Sequence, residues 1–135
     1  MNDWNTAIIQ EFRANKGKVG GQFAGADLLL LHTTGAKTGL ERVNPLRYFL
    51  DDNRYVIIAS KGGADTDPDW YRNLIAHPEV SVEAGTEQFP AIATVVSEPE
   101  RTALYEKMEA LSSAFTEYKH KTARVIPVIT LTRKS

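Results

Sequence analysis

The chain contains no cysteine. That one absence removes disulfides, thiolate nucleophiles, zinc knuckles and iron–sulfur clusters together. Its three histidines, His32, His77 and His120, are scattered, and no H-x-x-x-H ligand pair exists, so no metal is expected. There is no G-x-S-x-G nucleophile elbow and no G-x-G-x-x-G dinucleotide fingerprint. The piece "GAKTG" fails as a P-loop, because Ala36 follows Gly35 and no glycine stands at the required distance upstream. The apolar run Leu28 to Leu31 is far short of the roughly 20 residues a membrane span needs. The first residues lack the basic start and apolar core of a secretory leader. With a net charge of −1 and a pI near 6.3, no global field draws the chain to nucleic acid. A reducing, cytoplasmic location is compatible with all of this. If the protein is an enzyme, its own side chains offer little covalent chemistry, and a borrowed cofactor must supply the reactive atoms.

What remains is an ordinary globular composition, 42% hydrophobic and 24% charged over 135 residues, which predicts one domain spanning 1–135. Trp4, Ile8 and Phe12 recur every four residues with Ile9 alongside, predicting an amphipathic helix over 3–14 within an N-terminal segment 1–16. Its apolar stripe asks for a core partner; the alternative is a weak, peripheral association with the inner membrane surface. "NKGKVGGQFAG" reads as a glycine-rich connector. "ADLLLLHTT" reads as a buried strand. "VNPLRYFL" and "RYVIIAS" read as a hairpin turned by Asp51-Asp52-Asn53. Asp67 is expected as the N-cap of a helix with Pro68 at its first position, ending near His77-Pro78. "EVSVEA" and "QFPAIATVV" form a second hairpin around Gly85, "RTALYEKMEALSS" a further helix, and "RVIPVITLT" the last strand. Strands outnumber helices and are joined mainly by hairpins. That pattern predicts a mainly β fold, a small antiparallel barrel with helices packed outside it.

Candidate chemistry gathers in three stretches. In "HTTGAKTGLERVNPL", Gly35 and Gly39 let backbone N–H groups approach a ligand, and Lys37 and Arg42 add charge-assisted donors for phosphate or carboxylate oxygens. The same residues read equally as a solvated hairpin loop. In "ASKGGADTDPDWYRNL", Ser60, Lys61, Gly62 and Gly63 follow a strand end, and a helix then carries Trp70, Tyr71 and Asn73. Trp70 and Leu74 are four apart, which favours a core position for the tryptophan. In "FTEYKHKTARVIP", Phe115 and Tyr118 are three apart and suit either a lid over a flat ring or packing at a helix end.

Taken together, "TTGAKTG", "RVNPL", "IIASKGGA", "PDWYRNL" and the closing "RVIPV" resemble the deazaflavin-dependent nitroreductase and quinone reductase family of actinobacteria, over about residues 20–132. The resemblance implies a split β-barrel related to flavin-mononucleotide-binding proteins, with coenzyme F-420 as the cofactor. It implies that Lys37, Arg42 and Lys61 hold the coenzyme's phosphate and oligoglutamate tail. Asn44 and Pro45 would lie beside the deazaflavin ring. Ser60 and the backbone after it, including Gly62, would meet the ring's polar edge, and Trp70 and Asn73 would line the same pocket. Tyr118 would line the acceptor side and could donate a proton. Phe115 stands where nitroimidazole-reducing members carry another tyrosine, which puts that activity in doubt. The implied reaction is hydride transfer to a small electron-poor acceptor, a quinone, an unsaturated lactone or a nitroaromatic. The rival readings are a flavin-mononucleotide (FMN) enzyme of the same barrel class and a binding module without turnover. Monomer and homodimer stay open.

Overall fold

The computed structural model describes residues 3–20 and 27–134, without the side chains of residues 3 and 4. The side chain of Trp4, and the part of the glycine-rich connector over 21–25, therefore lie outside what is described. Among the described residues, seven strands form one sheet: β1 (Leu28–Thr34), β2 (Glu41–Arg47), β3 (Phe49–Asp51), β4 (Arg54–Ile58), β5 (Glu79–Ala84), β6 (Glu87–Val95) and β7 (Val128–Arg133). Four helices accompany them: α1 (Asp3–Ala14), α2 (Asp69–Ala76), α3 (Glu100–Leu111) and α4 (Ala114–Lys121).

The strand order is β2-β1-β5-β6-β7-β4-β3, with every neighbouring pair antiparallel. The two outermost strands, β2 and β3, are consecutive in the chain and only Tyr48 separates them. A sheet whose two edges are joined by one residue must curl until those edges meet, and the chain itself closes the barrel. This is where the expected hairpin of "VNPLRYFL" with "RYVIIAS" needs correction. Residues 49–51 do pair with β4, but residues 41–47 pair with β1, Leu30 opposite Pro45 and His32 opposite Val43. Pro45 is tolerated because β2 is an edge strand, so its missing N–H breaks no ladder bond on the open side.

Side-chain parity explains why β1 and β4 read as unbroken apolar runs. Leu29, Leu31, Ile57, Ala59, Ile129 and Leu131 point into the barrel and meet Val82, Phe89 and Ala91. Their neighbours Leu28 and Leu30 point outward under α1, against Ile8, Ile9, Phe12 and Val19. Val56, Ile58 and Val128 likewise face outward under α3 and α4, against Leu104, Tyr105, Met108 and Phe115. Strands covered on both faces lose the alternation that a half-exposed strand keeps. Ile8, Ile9 and Phe12 of α1 are thus spent on the barrel.

One local expectation differs. Asp67 does not cap α2; Pro68 occupies the cap with extended backbone and no side-chain cap bond, and Asp69 is the first helical residue. The Asp67 carboxylate is instead taken by Arg124, whose Nη1 lies 2.8 Å from Oδ1. Residues 114–121 form a helix of their own, set off from α3 by Ser112 and Ser113.

Candidate functional site

The β1–β2 connection is built by its own backbone. Gly35 N–H donates to Leu40 O at 2.8 Å and Gly39 N–H to Gly35 O at 2.9 Å, while Gly39 takes φ +71°, a region that favours glycine. One side chain fastens this loop to α2. Asn73, 7% exposed, accepts from Ala36 N–H at 3.0 Å and donates through Nδ2 to the buried Thr33 hydroxyl at 3.1 Å.

Loop, strand and helix together wall a cleft of about 620 Å³. The loop contributes Gly35, Ala36, Lys37 and Thr38, and β2 contributes Glu41, Arg42, Val43 and Asn44. From α2 come Asp69, Trp70, Arg72 and Asn73, and from α1 comes Asn5. Trp70 is both things the sequence allowed: 6% exposed, it belongs to the barrel-interior cluster, and it also borders the cleft. The charges differ in what they are free to do. Arg72 is paired with Asp69 at 3.0 Å. Lys37 and Arg42 are exposed and have no ion pair or side-chain hydrogen bond among the described residues. Two uncommitted cations therefore line one wall, with Glu41 as the opposing charge.

Below that wall lies a network that the sequence did not announce. His32 is buried on β1, with Nε2 2.5 Å from Glu83 Oε2 on β5. Arg13 of α1 grips the same carboxylate with both ends of its fork, Nη2 at 2.7 Å and Nε at 3.1 Å. The bonds from Arg13 and then His32 hold the Glu83 carboxyl below the usual carboxylate range, against the opposing effect of burial. His32 Nδ1 has no hydrogen bond of good geometry, though Glu41 Oε2 lies 3.4 Å away. The end of α1 is thereby pinned beneath the cleft.

A second assembly forms beyond β4. Ser60 is right-handed helical, and Lys61, Gly62 and Gly63 then take φ of +48°, +64° and +86° in a single 3-10 turn. A right-handed residue followed by left-handed ones turns successive N–H groups to one side, as in an anion-binding nest. Lys61 Nζ lies 3.2 Å from Thr66 Oγ1. Helix α4 packs on this turn, and Tyr118 is half-buried with its ring edge-on to Phe115 at 5.2 Å. Phe115 is 8% exposed in the outer core, and its carbonyl accepts from Tyr105 Oη at 2.6 Å. Burial pushes the Tyr105 phenol up to about 12.

Of the residues singled out from the sequence, Lys37, Arg42, Asn44, Trp70 and Asn73 meet at the cleft. Pro45, Ser60, Lys61, Gly62, Phe115 and Tyr118 are outside its lining. Sequence reasoning missed Asn5, Thr38, Glu41, Asp69 and Arg72. Helical spacing carried a signal for two of these: Asp69, Arg72 and Asn73 stand at i, i+3 and i+4 and share a face.

The family model that matches the chain, over residues 4–133, is described as F420H(2)-dependent quinone reductase. An F420H(2)-dependent quinone reductase of Mycobacterium tuberculosis is 40% identical over 127 residues, covering 91% of this chain and 85% of its own length. Among solved structures, an F420-H2-dependent reductase is 36% identical with a TM-score of 0.72, covering 78% of this chain and 93% of that one. A protein solved as a domain-swapped dimer is 34% identical with a TM-score of 0.73, covering 96% and 97%. The curled antiparallel sheet with its four helices is the split-barrel, flavin-mononucleotide-binding-like fold expected from the sequence.

Proposed function

This chain belongs to the F420H(2)-dependent quinone reductase family, and from that premise we propose that its cleft binds reduced coenzyme F-420 for hydride transfer to a quinone-class acceptor. The observation that carries the reading is the pair Lys37 and Arg42, unpaired in a cleft whose other strong cation is already neutralised. The residues present suit the coenzyme. A cleft of about 620 Å³ lies within the roughly 300–1,000 Å³ of small-molecule sites. Its uncommitted charge is positive, as a phosphate with an oligoglutamate tail requires.

The side chains divide the work. Lys37 and Arg42 hold the phosphate and tail, with Lys61 as a third cation. Asn44 and Pro45 flank the ring, and the N–H groups of Ser60, Lys61 and Gly62 turn toward its polar edge. Asn73 acts on the loop rather than on the ligand, because both ends of its amide are already bonded. Tyr118 lies on the acceptor side, where its hydroxyl or a water molecule delivers the proton that accompanies hydride. When bound, the reduced deazaflavin supplies that hydride, and with one proton it takes a quinone two electrons down to the hydroquinone. The protein's own contribution is orientation and exclusion of water. Unsaturated lactones and nitroaromatics are acceptors of the same electronic kind.

Titration with coenzyme F-420 and with flavin mononucleotide, followed by turnover with a soluble naphthoquinone, tests the reading. Tighter binding of the deazaflavin and quinone-dependent oxidation of its reduced form support it. Equal or tighter binding of flavin mononucleotide overturns it.

A further inference from the structure

Arg124 carries more hydrogen bonds than any role so far given to it explains. The residue belongs to no strand or helix and is mostly buried, its side chain 15% exposed. Its guanidinium nevertheless reaches four acceptors along one distant segment. Nε donates to Ala64 O at 2.8 Å, and Nη1 to Asp67 Oδ1 at 2.8 Å. Nη2 donates to Ser60 O at 2.8 Å and to Ala59 O at 3.1 Å. These acceptors bracket the left-handed turn of Lys61, Gly62 and Gly63 on both sides. A planar fork can serve so many carbonyls at once; a lysine ammonium on a flexible stem cannot.

The same turn is held from its other face by α4. A methyl group at Gly63 would lie 3.0 Å from Lys121 Cβ and Cδ and from the Tyr118 carbonyl oxygen. Helix α4 is thus seated on the turn with no room to spare, only a few residues before Arg124 itself. One guanidinium and one close approach fix the turn of residues 60–63 against the helix that bears Tyr118.

We infer that Arg124 is a positioning residue for hydride transfer: it holds the N–H groups of Ser60, Lys61 and Gly62 in register with Tyr118, so that ring and acceptor meet at one distance. This rests on the cleft reading above, and the probes separate the two. The first is hydrogen exchange of the amides over 60–64 in the protein without coenzyme. The second is affinity for the ring-and-ribityl fragment of the coenzyme, which lacks the phosphate and glutamates that Lys37 and Arg42 would grip. The third is kcat against KM for a naphthoquinone.

In Arg124→Lys we expect faster exchange confined to the turn, weaker binding of the fragment, and a fall in kcat of roughly 10- to 100-fold with little change in KM. In Arg124→Ala, added guanidinium should restore part of the lost kcat. Should both variants fail to fold, Asp67→Asn loosens the clamp at one contact only and should show the same exchange pattern at smaller amplitude. Wild-type exchange over 60–64, or wild-type kcat with wild-type fragment affinity, overturns the assignment. If the wild-type protein binds neither fragment nor coenzyme, the cleft reading fails and Arg124 loses its coenzyme role with it, even where exchange still reveals a clamp.

Discussion

Replacing Asn73 by alanine tests whether the cleft is a built site or a loop that happens to lie near a helix. The amide makes two bonds that leave together, one to the buried Thr33 hydroxyl and one from Ala36 N–H. Thr33 is 2% exposed, so its hydroxyl would be left without its partner at a cost of about 1–3 kcal/mol. The bond to Ala36 is more exposed and contributes about 0.5–1.5 kcal/mol. Together the substitution should destabilise by about 2–4 kcal/mol, since water can reach part of the gap. At roughly 3–5 °C per kcal/mol for a chain of this length, Tm should fall by roughly 6–20 °C. The loop should loosen as well. Re-fixing even one residue at each binding event costs about 1–2 kcal/mol, so coenzyme affinity should fall about five- to thirtyfold. Calorimetry reads the first quantity and a fluorescence titration of coenzyme F-420 the second. An alanine variant that melts within a degree of wild type refutes the energetic argument. One that melts early but binds as tightly as wild type shows that Asn73 braces the barrel and not the site.

Lys37→Ala and Arg42→Ala should each weaken coenzyme binding by about ten- to a hundredfold, the worth of a charge-assisted bond of roughly 1.5–3 kcal/mol. A titration repeated at rising salt should show the wild-type affinity falling, and variants that bind like wild type would leave the loop a solvated hairpin. Glu41→Gln should tighten binding severalfold by removing the opposing charge from the same wall; unchanged affinity would place Glu41 outside the ligand's field. Phe12→Ala should cost about 3–5 kcal/mol, because Phe12 is 1% exposed beneath α1 against Leu28 and Leu30; a denaturant melt checks it. Hydrogen bonds from Thr102 and then Arg101 hold the Glu98 carboxyl down at about 2. A depressed carboxylate lends stability above its unfolded pKa, and that stability drains as pH falls from about 4.5 to about 2. Glu98→Gln should therefore flatten this part of the acid-unfolding curve, and a curve superimposable on wild type would contradict the assignment.

How far the sequence could be read depended on the range of the interactions involved. The α1 stripe and the strand runs were legible because their periodicity is local, and burial of Ile8 and Phe12 against β1 follows from it. The break at Tyr48 was not legible. Nothing within "VNPLRYFL" says that its first half pairs with β1 and its second with β4; that follows only when the sheet closes. The cap at Asp67 failed for a similar reason. A local rule assigned its carboxylate to the start of α2, and a guanidinium 57 residues away captured it instead.

The site divides along the same line, and its charges explain why the connection over 35–40 is longer than a two-residue turn. A shorter turn would place Lys37 and Arg42 on facing strands with no second element to address. The observed one carries Ala36 across to α2, where Asn73 takes its N–H, and returns through Gly39 to β2. Lys37 from the loop and Arg42 from β2 then line the same cleft. Arg72 adds little net charge, being paired with Asp69. Glu41, one residue before Arg42, cancels half of what remains from the same wall. Its side chain is 70% exposed, with the carboxylate 3.4 Å from His32 Nδ1 at the edge of the network that Glu83 and Arg13 complete. At about 4 Å an opposite charge near a protein surface is worth up to about 4 kcal/mol before screening. Removing that one carboxylate therefore matters as much to an anionic tail as supplying a further cation.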